Sequence, residues 1–231
     1  MRLLAFETAT EACSVAVLVD GRVIERFELA PRRHAELALP WADALLAEAG
    51  VAKSQLDAIA VGRGPGAFTG VRLAVALAQG IALALDRPVV AVSTLAALAQ
   101  RAPGERVLAA IDARMGEVYL GRFGRGNGGL RPLDAERVIR PDQAGIPAEA
   151  GWHGVGTGFG AAEGALRQRL EPVLAAVDAQ ALPHAADVAR LGAAAFARGE
   201  ALAPERLEPA YLRDNVALTL AEQQALRAGR G

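Results

Sequence analysis

Apolar and polar positions divide the chain into short, densely apolar runs punctuated by glycine, proline and aspartate. "RLLAFE" (2–7) has the length and polarity of a buried strand. "CSVAVLVDGRVIERFEL" (13–29) predicts two strands joined at Asp20-Gly21, a strong hairpin signal. "HAELALPWADALLAEAG" (34–50) predicts a helix ending at Gly50, and "LDAIAVG" (56–62) a fourth strand. A glycine-rich loop follows. Behind it a helix is expected from about Thr69, taken as its N-cap, to Leu85, where Asp86-Arg87-Pro88 stops it. "VVAV" (89–92) predicts a fifth strand and "TLAALAQRA" (94–102) a short helix.

"APGE" (102–105) has the composition of a linker, and the opening pattern then starts again. "VLAAID" (107–112) is an apolar run ending in an acid, as "LLAFE" (3–7) is. "GEVYLGRF" (116–123) and "LRPLDAERVI" (130–139) are strands flanking the glycine turn "GRGNGG" (124–129). The repetition predicts an α/β protein of two related units, 1–102 and 103–231. Beyond them, "WHGVG" predicts a strand. Residues 161–170 and 185–199 predict helices, and "LAEQQALRAG" (220–229) a terminal surface or docking helix.

Two helices are more apolar than one buried face requires. In "TGVRLAVALAQGIALAL" only Arg72 and Gln79 are strongly polar after the cap. A helix apolar all round needs cover on every side, from its own protein or from a partner. The 34–49 helix places Leu37, Trp41 and Leu45 on one face and Leu39, Ala42 and Leu46 on another. Leu37, Trp41, Leu45, Arg72, Leu73, Leu77 and Ile81 are therefore candidate partner-binding residues, unless the two helices cover each other.

Composition narrows the chemistry. The chain has 231 residues, 52% of them hydrophobic, and a net charge of −1. That size supports a sizeable core, and that charge argues against a stand-alone nucleic-acid binder. Cys13 has no mate for an internal disulfide, in keeping with a reducing cytoplasm. The N-terminus lacks the pattern of a signal peptide, and no run of about 18 apolar residues predicts a membrane span. Lys53 is the only lysine and lies outside any Walker motif. Ser14, Ser54 and Ser93 lie outside any G-x-S-x-G elbow. His34, His153 and His184 form no local pair of the metalloprotease type, so no metal site is predicted.

Three stretches could still carry ligand chemistry. The strand–glycine–helix order at Gly64, Gly66 and Thr69 suits an anion at a helix N-terminus, or a tight crossover that needs glycine for close packing. "FETATEACS" brings Glu7, Thr8 and Thr10 to a strand end equivalent to that of Asp112. These groups could hold a phosphate or do acid–base work, or simply satisfy turns. "GVGTGFG" (154–160) precedes a helix, whereas "GRGNGG" precedes a strand and is rejected as a dinucleotide site.

"LLAFETATEACSVAV", "RRHAELALPWADALL", "GRGPGAFTGVRLAVALAQGIA", "AIDARMGEVYLGRF" and "EPAYLR" (208–213) occur in this order over nearly the whole chain. Together they resemble the bacterial TsaB (YeaZ) family. The resemblance implies two RNase H-like subdomains of the sugar kinase/Hsp70/actin superfamily. It also implies a non-catalytic subunit of the cytoplasmic machinery that threonylcarbamoylates the adenosine next to the anticodon of tRNAs reading ANN codons. Its implied partners are the paralogue TsaD, met through the N-terminal subdomain, and the ATPase TsaE. A homodimer is implied for the lone protein, with no direct tRNA or membrane contact. No cofactor is required, and weak ATP or ADP binding at Glu7, Thr8, Thr10, Gly64, Gly66, Thr69 and Asp112 would be a vestige. TsaD-like proteins carry a histidine pair where this chain reads "VVAVSTLAALAQ" (89–100). The D-x-G-T of active kinases is here Glu7-Thr8-Ala9-Thr10, without the glycine that admits phosphate. The older glycoprotease label finds neither its histidines nor an elbow serine in this sequence.

Overall fold

The computed structural model describes residues 1–126 and 128–213. The expected helix at 220–229 lies outside them. The first unit comprises β1 (Arg2–Glu7), β2 (Ala12–Val19), β3 (Arg22–Leu29), α1 (His34–Glu48), β4 (Ala58–Gly62), α2 (Phe68–Leu85), β5 (Val89–Val92) and α3 (Thr94–Ala99). The second comprises β6 (Arg106–Arg114), β7 (Glu117–Gly126), β8 (Gly129–Pro132), β9 (Arg137–Ile139), β10 (Trp152–Val155), α4 (Ala165–Leu170) and β11 (Leu174–Asp178). α5 (Ala185–Ala197) follows.

The repeat read from the sequence is a repeat of topology. The first sheet runs β3-β2-β1-β4-β5 and the second β8-β7-β6-β10-β11, with β9 also paired to β7. In each, a three-stranded antiparallel meander is extended by two parallel strands. This is the two-subdomain, RNase H-like α/β fold. Asp20 and Gly21 turn the first hairpin with φ of 48° and 88°, the sign pair of a type I′ turn.

The first sheet is apolar on both faces because both are covered. Along β1, Leu4 and Phe6 face a core shared with α1 and α2, while Leu3 and Ala5 face a core shared with α5. Cys13, Val15 and Val17 of β2 divide from Ala16 and Leu18 in the same way. α3 turns its Leu95, Leu98 and Ala99 to the second sheet, against Val107 and Phe123.

The division at residue 102/103 needs one correction. α5, grouped by sequence order with the second unit, packs on strands β1, β2, β4 and β5 of the first. Leu202 then bridges to Val89, Leu207 enters the α1–α2 core, and Ala210 N donates to Arg63 O at 2.8 Å. The chain thus returns to its first unit, a long-range placement that local composition does not encode. Gln79, one of the two polar residues of α2, secures the return by donating to Pro204 O and Leu207 O. Three local expectations also change, the first being the single strand read over 130–139, which is split into β8 and β9. Residues 161–170 form a 3₁₀ turn at 162–164 before the shorter α4, and β11 has no counterpart in the sequence reading.

Candidate functional site

The glycine loop closes on its own chain. Ala67, extended at φ −61° and ψ 125°, is the N-cap of α2 and contributes no side-chain cap. Thr69 lies inside the first turn, so the expectation that it caps the helix is corrected. The helix begins early because the turn after β1 docks on its N-terminus. Ala67 N donates to Ala9 O at 2.7 Å, and Thr8 Oγ1 donates to Gly70 O at 2.7 Å. A Cβ on Gly66 would stand 2.4 Å from Ala9 O, and one on Gly70 2.0 Å from Thr8 O. Glycine is needed at both for backbone to meet backbone. On one side the loop meets residues 8 and 9, and on the other Gly66 and Ala67 border a cavity. Gly64 continues this closure: its N–H donates to Thr94 Oγ1, and its carbonyl accepts from Thr94 N.

The two strand-end acids occupy equivalent turns. Glu7 Oε1 accepts from Ala9 N and Asp112 Oδ1 from Arg114 N, each two residues ahead and each at 2.8 Å. Their surroundings differ. Glu7 is 1% exposed, and burial pushes its carboxyl up to about 7 against the pull of hydrogen bonds from Ala9, Thr94 and Thr8. Asp112 is partly exposed and ion-paired with Arg114 at 3.0 Å. Asp112 lines the cavity described next, and Glu7 does not. Thr10 is buried at the same turn, accepting from Ala12 N, and also lines the cavity. Thr8 is fully buried in its bond to α2.

A cavity of about 830 Å³ lies between the units. Thr10, His34, Phe68 and Arg72 wall it on the first side, and Asp112, Tyr119 and Thr157 on the second. The segment 210–213 forms part of its rim and reaches across. Arg213 donates to Ala113 O and Glu117 Oε2 on the second unit. His34 Nε2 lies 2.9 Å from Thr10 O and 3.2 Å from Ala12 O, which calls for a proton on that nitrogen and fixes the β1–β2 turn. His34 and Tyr119 carry no sequence signal as site residues, whereas Thr157 lies in the glycine stretch 154–160 that the sequence offers. Their convergence depends on how the two units meet.

The candidate docking residues separate in three dimensions. Leu37 and Trp41 of α1 are half-buried, but Leu45 is 1% exposed and belongs to the core, so it leaves the docking face. Leu73, Leu77 and Ile81 are half-buried, and the last two also pack against the core. Arg72 lies at the cavity, stacked on Phe68. α2 turns Val71, Ala74, Val75, Ala78 and Ala82 inward. On the opposite stripe, Thr69, Ala76, Gly80 and Leu83 are exposed, Leu83 by 54%. Only 28% of this 18-residue helix is buried. It is long and apolar enough to cross a membrane by length and composition, yet its inner stripe belongs to a sheet core. α1 lies on β2 and β3 and α2 on β4, β1 and β5, so the outer stripe of α2 is not covered by α1.

Comparison with known proteins agrees with this architecture. Residues 27–220 match the family model of TsaD, tRNA N6-adenosine threonylcarbamoyltransferase. The chain is 43% identical to the tRNA threonylcarbamoyladenosine biosynthesis protein TsaB of Escherichia coli, over 94% of this chain and 96% of that protein. It is 40% identical to the TsaB of Haemophilus influenzae, over 94% and 95%. The solved structure of YeaZ from Pseudomonas aeruginosa superimposes with a TM-score of 0.85 at 51% identity, covering 91% of this chain and 99% of that one. On this identity, this coverage and the shared two-unit fold, the chain belongs to the TsaB (YeaZ) family.

Proposed function

We propose that this protein serves threonylcarbamoyladenosine formation in tRNA as a binding subunit and not as the catalyst. On this reading the exposed stripe of α2, flanked by α1, docks a TsaD-type transferase in the cytoplasm. A TsaE-type ATPase joins the pair, and the same stripe mediates a homodimer when the protein is alone. The observation that carries the reading is α2 itself, an 18-residue apolar helix with most of its residues outside the core. Apolar surface of this kind on a helix marks a protein-interaction site. Glu7 supports it from the other side, since its carboxylate is consumed by internal contacts. The proposed role needs no cofactor of its own.

The test is reconstitution. TsaD and TsaE are co-expressed with and without this chain, and tRNA is assayed for the modified adenosine. Modification that needs the chain, and that is lost with Leu83→Asp while the variant stays folded, is the expected result. Undiminished modification without the chain overturns the proposal.

A further inference from the structure

The cavity between the units carries charge that the docking role does not use. Four arginines line it: Arg32, Arg72, Arg114 and Arg213. Arg114 is neutralised by Asp112 and Arg213 by Glu117. Arg32 and Arg72 have no carboxylate partner among the described residues, and together they outweigh the rim acid Glu11. Arg72 is held by aromatic rings instead. Its guanidinium carbon lies 3.2 Å from the centroid of Phe68 and 5.0 Å from that of Tyr211. A ring face orients a guanidinium without consuming its N–H donors. One of those donors, Nη1, is buried without an acceptor. A buried donor left unmatched is costly, so a fitting acceptor would be favoured there. The N-terminus of the long helix α2 adds positive potential of the same sign at Phe68, with no side-chain cap to absorb it.

We propose that this end of the cleft binds an anionic oxygen group, carboxylate or phosphate, carried on an apolar or aromatic body. Arg72 receives the anion in the fork geometry that a guanidinium offers both groups. Phe68 and Tyr211, 63% and 57% exposed, present ring surface to the body. The site is separate from the docking stripe of α2 and stands or falls independently of it.

Calorimetric titration of the full chain decides the matter. The probes are phenyl phosphate, phenylacetate and the peptide acetyl-Phe-Asp-amide, with benzyl alcohol as the uncharged control. Binding of at least one anion is expected, with benzyl alcohol and the Arg72→Gln variant each weaker by about tenfold or more, the value of one charge-assisted hydrogen bond. Arg72→Lys should retain part of the affinity, and Leu83→Asp all of it. Preference for phenyl phosphate identifies a phosphate monoester as the class, phenylacetate a free carboxylate, and the peptide an acidic side chain of a protein. The proposal is overturned if none of the three anions binds, or if folded Arg72→Gln binds them as tightly as the native chain. Should Arg72→Gln fail to fold, Tyr211→Ala on the exposed rim serves in its place, with weakened binding expected and unchanged binding overturning the site.

Discussion

Thr94 Oγ1 donates to Glu7 Oε2 at 2.9 Å and accepts from Gly64 N at 3.2 Å, so one hydroxyl joins the end of β1, the glycine loop and the first turn of α3. Sequence separations of 87 and 30 residues close at a single side chain. The carboxyl that pattern alone offers as an acid–base group is thereby a keystone between elements.

That position makes stability depend on pH. The Glu7 carboxyl is raised from 4.5 to about 7 in the folded protein, chiefly by burial. A raised acid favours the folded state most fully below its unfolded value. The benefit is lost as pH climbs from about 4.5 through about 7, where the buried group must ionise. Glu7→Gln should match the native chain near pH 5 and exceed it at pH 8 by about 2 kcal/mol, somewhat less than the full linkage because Gln has one acceptor oxygen where Glu7 uses two, for Ala9 N and Thr94 Oγ1. Urea melts at the two pH values measure the difference. A variant less stable at pH 8 would refute the assignment of burial as the dominant cause.

The glycine loop should be intolerant for steric reasons. Gly70→Ala sets a methyl against Thr8 O, a backbone atom that cannot swing aside. A loss of about 3 kcal/mol is expected, at the upper end for overpacking. Thr8→Val, which removes only the bond to Gly70 O, should cost about 1 kcal/mol. Thermal melts that rank the two the other way would show that the hydroxyl, and not the close approach, holds the turn.

α5 is tied to the first sheet at its N-terminus. Ala185 N donates to Ser14 Oγ, Ala186 N to Glu25 Oε1, and Ser14 Oγ in turn to Glu25 Oε1. His184 stacks on Phe27 and its Nδ1 lies 2.9 Å from Glu25 Oε2. Burial works to raise the Glu25 carboxyl, but the hydrogen bonds from His184, Ala186 and Ser14 together hold it below the usual range. A lowered acid stabilises above its unfolded value and ceases to do so as pH falls through the folded one. Ser14→Ala, which orphans a buried N–H, should cost about 1–2 kcal/mol at pH 7. Glu25→Gln should flatten the acid limb of the stability curve below about pH 4.5. Hydrogen exchange of the first turn of α5 would report both.

These contacts mark where sequence stops being informative. The strands of the first unit follow from apolar runs and from Asp20-Gly21, and β5 occurs at residues 89–92 as expected, because both signals are local. The equivalence of Glu7 and Asp112 is legible too, since each acid closes the same two-residue turn. The cap of α2 is not. Thr69 has the right side chain, but a tertiary contact from Ala9 starts the helix two residues earlier. Nor is the inward face of Leu45 legible, because α1 is apolar on two faces and only the packed sheet selects between them. The cavity is built from seven separate stretches, and neither Arg72 nor Tyr119 carries any local sign of it.

The outer stripe of α2 allows docking to be separated from folding. Leu77 and Ile81, which the sequence offers as docking residues, also pack against the core. An aspartate there should lower stability by about 2–4 kcal/mol, so loss of pairing would say little about the interface. Leu83 and Ala76 are exposed, and a charge there meets solvent in the lone chain. Leu83→Asp and Ala76→Arg should therefore leave the melting temperature within about 2 °C of the native chain diluted to monomer, as surface changes usually do. If the stripe is the interface, the same two changes place an unpaired charge in an apolar contact. Each should weaken pairing by ~30-fold or more, the equivalent of about 2 kcal/mol for a central contact. Sedimentation of the lone protein and affinity capture of co-expressed TsaD read the two states in parallel. Variants that fold, sediment and capture as the native chain does would move the interface off α2. Selective loss of both assemblies would fix it there, since one apolar stripe would then serve the homodimer and the heteromeric pair alike.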